Sequence, residues 1–184
     1  MPAIRLTPRE EARELIDYDR AVFELYVRRL SSLPWRAVSR RREIGHQSLF
    51  RTLVHILNVH EVWQVYIVRG RTGELDALFR DESRHPKDWA GLRAYSDRVW
   101  SGIDETLERL TDRDFARSVR APWMPGRYTV RDAFFQSTFE EAHHIGELIG
   151  AMWQDDREPP RMMWIPTRTA LRARRRRARA RRRG

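Results

Sequence analysis

At 184 residues, 41% of them apolar and none a cysteine, the chain is long enough for one domain with a real core and short for two. The missing cysteines exclude disulfides, thiolate metal sites and cysteine nucleophiles. The net charge of +10 belongs to one end: residues 161–184 hold eleven arginines and no acid, and taking those eleven charges away leaves residues 1–160 at −1. The expected organisation is therefore a nearly neutral domain over residues 1–160 and an arginine-rich tail over 161–184. The amino-terminal stretch has no apolar run of signal-peptide length, and nothing approaches the roughly 18 apolar residues of a membrane span. A soluble, cytoplasmic protein is the expectation.

Thr7-Pro8-Arg9-Glu10 reads as a helix start, with threonine capping, proline in the first turn and glutamate completing a capping box. Leu15, Tyr18, Val22, Leu25 and Leu30 carry that helix to a stop before Pro34. Trp35 to Ile44 is a basic connector with weak periodicity. A second helix is predicted over His46 to Arg69, where Leu49, Leu53, Ile56, His60, Trp63 and Ile67 recur in steps of four and three as a bundle seam. His55 lies on the neighbouring stripe. A charged connection, Gly70 to Pro86, leads to a third helix ending near Leu110, with Trp89, Leu92, Val99, Ile103 and Leu107 inward. Pro122, Pro125 and Gly126 make Arg113 to Tyr128 an ordered loop or small hairpin.

The fourth helix, Thr129 to Trp153, is the stretch that carries chemistry. Thr129 and Asp132 form its capping signal, and Phe134, Thr138, Ala142, Ile145, Ile149 and Met152 form one apolar stripe. Beside that stripe Glu140, His144 and Glu147 are spaced by four and three, so they share a face. A carboxylate and an imidazole one turn apart rise only about 6 Å and can meet one divalent cation. That is half a site. A solvent-facing acidic strip with a packed histidine explains the same spacing. The four amphipathic helices argue for an all-α four-helix bundle, and residues 169–184 cannot build a core and are expected to be disordered in isolation.

SLFRTLVHILNVHEVW in the second helix and FFQSTFEEAHHIGELIGAMWQDDREPP in the fourth resemble the DinB/YfiT-like four-helix-bundle family. The resemblance follows residues 7–160 in element order and has no counterpart for the tail. It implies a divalent cation, such as zinc, nickel, manganese or iron, held by one histidine of the second helix and two of the last. His55 matches the first and His144 the last. The middle position falls on Glu140, a departure from the pattern that a carboxylate can fill and that favours harder ions. The implied metal ligands are therefore His55, Glu140 and His144. The resemblance also implies metal-dependent hydrolases or transferases that use a low-molecular-weight thiol, on a small-molecule substrate the sequence does not identify.

Among the other histidines, His143 lies about 100° round the helix from His144 and suits a surface or supporting role. His60 reads as a packed seam residue hydrogen-bonded to a neighbour. His46, near a helix start, and His85, in a loop, are weak candidates. Glu147 could orient a ligand imidazole, and Glu61 could do the same or face water. Two other functions compete. Glu141-x-x-His144 has the spacing of ferritin-like carboxylate di-metal proteins, which need that pair on two helices. The tail, with nine arginines in residues 172–183 and no interleaved aromatic, would bind nucleic acid or another polyanion electrostatically and without reading sequence. A homodimer is open to the chain.

Overall fold

Helix α1 (Pro8–Ser31) begins where its sequence caps it. Thr7 Oγ1 accepts the Glu10 N–H at 3.3 Å while Glu10 Oε2 accepts the Thr7 N–H at 3.0 Å, so two orphan donors are satisfied reciprocally. The structure is a computed structural model and describes residues 6–161 and 163–181. A short helix α2 (Trp35–Ser39) occupies the basic connector.

The next helix starts later than its periodicity predicts. Gln47 sits at φ 64°, in the left-handed region that a helix interior does not use. Helix α3 (Leu49–His60) therefore opens at Ser48, whose hydroxyl accepts the Arg51 N–H at 3.1 Å. His46 is left in the loop ahead of it. At its other end α3 runs directly into a π-helical segment, Glu61–Ile67, whose wider turns end with Val68 N–H bonded to Trp63 O at 3.0 Å. All six residues of the predicted seam are buried.

Helix α4 (Leu75–Arg80) lies in the charged connection. Helix α5 (Trp89–Arg109) is capped by Asp88, which accepts the Gly91 N–H at 2.8 Å. The proline-rich stretch holds the expected small hairpin, β1 (Ser118–Val119) antiparallel to β2 (Tyr128–Thr129). Helix α6 (Val130–Gln154) starts on the predicted Thr129/Asp132 capping box.

The bundle is built from α1, α3 with its π-helical continuation, α5 and α6. Each touches its neighbours in the order α1, α5, α3, α6 round the bundle. Phe23, Tyr26, Leu53, Ile56, Tyr95 and Phe134 fill its interior, and burying an aliphatic or aromatic side chain of that size stabilises the fold by about 1.5–3 kcal/mol. On α6 the buried face is rotated from the predicted stripe: Ala142 is exposed, and Ser137, Glu141 and Leu148 are buried instead. The polar members of that face find partners inside the bundle, which apolar periodicity cannot reveal.

Helix α7 (Trp164–Arg181) covers most of the arginine-rich tail. It leans on α1 through a Trp164–Tyr18 edge contact with ring centroids 4.9 Å apart. Arg168 Nε donates to Glu14 Oε2 at 2.6 Å, and Arg172 Nε donates to Glu14 Oε1. None of its described side chains is buried, so the tail adds nothing to the core. Disorder was expected of the segment in isolation, and α1 is what it leans on here; residues 162 and 182–184 lie outside the described residues. No helix among the described residues is long and apolar enough to cross a membrane.

Candidate metal centre

The loop between α2 and α3 is tied to the end of α6 by charge. Arg42 donates to both oxygens of Asp155, at 2.9 and 2.6 Å, and Arg40 pairs with the same carboxylate. Two turns back on α6, Glu147 Oε1 accepts the Gly45 N–H at 3.3 Å. A β-carbon on Gly45 would stand 2.8 Å from that oxygen, so a larger residue here would push the Glu147 carboxylate away. The next residue is His46, and the loop delivers its ring onto the bundle.

There His46 meets His55 from α3 and His144 from α6. One ring nitrogen from each lies within 4.8 Å of the others. The His46 and His55 rings stack with centroids 3.6 Å apart, and the His144 ring stands edge-on to both, at 4.9 and 4.5 Å. Glu147 Oε2 is 3.0 Å from His144 Nδ1. The carboxylate accepts a hydrogen bond from Nδ1–H there, which fixes the tautomer and leaves a lone pair on Nε2. That Nε2 is buried and has no hydrogen-bond partner. Burial, with the charge of His144 next, lowers the His46 pKa. Burial, reinforced by His46 and His144, lowers that of His55 to about 3. Two of the three imidazoles are thus held neutral at physiological pH, the state in which imidazole ligates a metal. An orphaned, buried lone pair beside two neutral imidazoles fits a divalent cation.

Of the residues expected to ligate, His55 and His144 are brought together. Glu140 stands beside them rather than between them: its Oε2 is 3.6 Å from His144 Nε2, and its Oε1 accepts from Gln136 Nε2 at 2.8 Å. His143 is exposed, with Nε2 3.9 Å from Glu147 Oε1. Glu147 holds the His144 imidazole, the contact that one of the roles weighed for it requires. His46 is the residue that sequence reasoning passed over. Gly45 before it and the capping serine two residues on mark a loop, but the fold-back onto Glu147 is a tertiary contact with no local signature.

His60 is the hydrogen-bonded core residue its seam position predicts, with Nε2 2.6 Å from Glu141 Oε2. Asp19 joins them, and these three form a separate, fully buried group. Glu141 and His144, the glutamate–histidine spacing of di-metal bundles, divide between the two groups instead of sharing one. Glu61 faces neither water nor a histidine. It accepts from Arg84 Nε at 2.7 Å and from the Tyr95 hydroxyl at 2.9 Å, all buried.

A cleft of about 740 Å³ opens beside the histidines, with His46 and His55 in its wall. Trp35, Phe50 and Val54 give it an apolar side, and Arg51 and Lys87 line its polar side. No carboxylate is among the described residues that line it.

A helical bundle in which a loop and two helices converge three imidazoles at the edge of a cleft defines a class, the bundle proteins with a metal-capable histidine cluster. The family model of the DinB superfamily matches residues 18–148, and the chain belongs to that superfamily. No curated protein matches the sequence.

Proposed function

We propose that the chain is a DinB-type metalloenzyme whose divalent cation is held by His46, His55 and His144, with Glu140 completing the donor set. The observation that carries this reading is the buried His144 Nε2, which has a lone pair directed by Glu147 and no hydrogen-bond partner. Three imidazole nitrogens and a carboxylate suit zinc, nickel, manganese or ferrous iron. A cation bound there supplies Lewis acidity, lowering the pKa of a water or a low-molecular-weight thiol that meets it. The chain's own residues do the rest. Glu147 holds the His144 ring in one tautomer, and Gly45 lets the His46 loop close on it. Trp35 and Phe50 exclude water from one side of the cleft. Arg51 and Lys87, with no lining carboxylate to oppose them, favour a substrate that carries a negative charge on an apolar body. Metal-dependent hydrolysis and thiol transfer are the reaction classes this arrangement serves, in a cytoplasmic setting consistent with the absence of cysteine.

The test is the amount of chelator-labile metal per chain, measured on protein free of affinity-tag histidines. His46→Ala, His55→Ala and His144→Ala are each expected to lose it, because each removes an imidazole donor. Glu140→Ala should weaken binding without abolishing it, and His143→Ala should match wild type. A His46→Ala protein that stays loaded while Glu140→Ala empties would return the donor set to His55, Glu140 and His144. Full loading of His144→Ala would overturn the reading altogether.

A further inference from the structure

The bundle interior holds a second group whose polar atoms are left unanswered. Asp19 on α1, His60 at the end of α3 and Glu141 on α6 are 1%, 0% and 3% exposed, and one donor atom from each lies within 4.8 Å of the others. Among the described residues no ion pair joins Asp19 or Glu141 to an arginine or lysine; His60 is the one basic group on Glu141. Thr138 Oγ1 donates to Asp19 Oδ2 at 2.7 Å, and His60 Nε2 meets Glu141 Oε2 at 2.6 Å. Glu141 Oε1 and His60 Nδ1, both buried, have no partner. Gln64 donates to Ser137 Oγ at 2.5 Å, and its Oε1 is also buried and unpartnered. Buried polar groups are almost always paired, and each one left over costs about 1–3 kcal/mol. Here Glu141 Oε1 is the one left over, while His60 Nδ1 and Gln64 Oε1 face each other outside normal hydrogen-bond geometry, at the point where α3 gives way to the π-helical segment that carries Gln64. Such local widening of a helix is frequent at functional sites.

We propose that Asp19, His60 and Glu141 form a second, structural metal centre in the bundle core, taking a single divalent cation. Two carboxylates and a neutral imidazole around a doubly charged ion make a neutral assembly, which removes the main electrostatic cost of burial. The N/O donor set selects manganese, ferrous iron or zinc over calcium and magnesium, which favour oxygen-only sites. Loading replaces the His60–Glu141 hydrogen bond with two ligand bonds, and Thr138 continues to orient Asp19. A cation held by all three would tie α1, α3 and α6 together, with any carboxyl proton it displaces leaving to solvent. This centre shares no residue with the histidine cluster at the cleft.

The experiment counts metal in the full chain. Metal-stripped protein is refolded with Zn(II) or Mn(II) alone, passed through a desalting column and analysed for metal per chain before and after EDTA. Wild type is expected to hold two equivalents, with one released by EDTA within minutes and one retained until the chain unfolds. His144→Ala should hold only the EDTA-resistant equivalent. Glu141→Gln and Asp19→Asn should each hold only the labile one, and either variant serves if the other does not fold. Wild type with a single labile equivalent that His144→Ala lacks would overturn the core centre and leave the cleft cluster standing. Wild type with a single resistant equivalent that His144→Ala keeps would do the reverse. A Glu141→Gln protein with both equivalents intact, or with a raised melting temperature at unchanged metal content, would show a buried protonated acid and overturn the proposal.

Discussion

The two histidine clusters draw on the same helix and differ in how they meet water. Glu141 and His144 are three residues apart on α6, and a helix advances about 300° over three residues. That leaves the two side chains about 60° apart, enough to send one into the bundle core and the other to His46 and His55, which line the cleft. At the cleft, His144 has Glu147 fixing one ring nitrogen, while the other is unpartnered. In the core, His60 is wholly buried, with Glu141 on its Nε2 and Gln64 as its other polar neighbour. The outer group can exchange an ion or a ligand because a loop and a cleft border it. The inner one can exchange only when helices part. One helix can thus support an exchangeable site and a locked one within a single turn.

A third buried charge sharpens that contrast. Glu61 is buried like Glu141 but sits among cations: Arg84 Nε and the Tyr95 hydroxyl both donate to its Oε2, Arg98 Nε lies 3.9 Å from its Oε1, and Arg84 Nη1 donates onward to Leu78 O at 3.2 Å. Removing Arg84 takes from Glu61 its one buried cationic partner. Arg84→Met is therefore expected to lower stability by about 3–5 kcal/mol, the cost of breaking a buried pair from one side. Glu141→Gln in metal-free protein should cost less than about 1 kcal/mol, because it removes a carboxyl with an unanswered oxygen. Urea unfolding of both variants measures the difference. Equal losses would mean that Glu141 is partnered as completely as Glu61.

The four bundle helices, the caps at Thr7 and Thr129, the second-helix seam and the hairpin in the proline stretch were legible in the sequence because each has a local signature, whereas α2, α4 and α7 were not. His55 and His144 were legible through the resemblance. His46 was not, because it reaches the site only through Gln47 in a left-handed conformation and a Gly45–Glu147 contact across 102 residues. Glu141 was hidden differently. Apolar periodicity places Ala142 inward, and only the presence of His60 and Asp19 on facing helices makes a glutamate the buried residue. Patterning finds where a core needs carbon, and it is blind to a core that needs charge.

The clusters should also titrate in opposite directions. With its pKa lowered from 6.5 to about 3, His55 stays neutral in the folded chain while the unfolded chain takes up a proton. The stability this group contributes is present above pH 6.5 and lost as pH falls towards 3. Burial raises Asp19 and Glu141 above their ordinary values of 3.8 and 4.5, so the folded chain keeps protons that the unfolded chain releases. Their contribution is present at low pH and lost as pH rises past those values. Each proton is worth at most a slope of about 1.4 kcal/mol per pH unit. In chelator, His55→Ala should flatten the acid side of the stability profile, and Glu141→Gln should reduce the loss on the other side. Urea midpoints between about pH 4 and pH 8 would show it, and two variants with identical profiles would erase the distinction.

The smallest effect is expected from the region that touches neither cluster. Helix α7 meets the bundle through Trp164 on Tyr18 and through Arg168 and Arg172 on Glu14. Truncation after Ala173 keeps those contacts and removes residues 174–184, with eight arginines. Surface ion pairs contribute about 0–1 kcal/mol, and none of the described ones is removed, so stability should change by less than about 0.5 kcal/mol. Metal content at both clusters should be unchanged. We propose that polyanion binding is what the truncation removes, since the bundle without residues 161–184 carries a charge of −1. Each phosphate neutralised contributes about −0.9 to the slope of log affinity against log salt on duplex DNA. Losing eight arginines should therefore flatten that slope by up to about 7, with affinity equal across DNA sequences before and after. Truncated protein that still binds duplex DNA at moderate salt would place the basic surface on the bundle itself, and Arg51 and Lys87 at the mouth of the cleft would be the residues to change next.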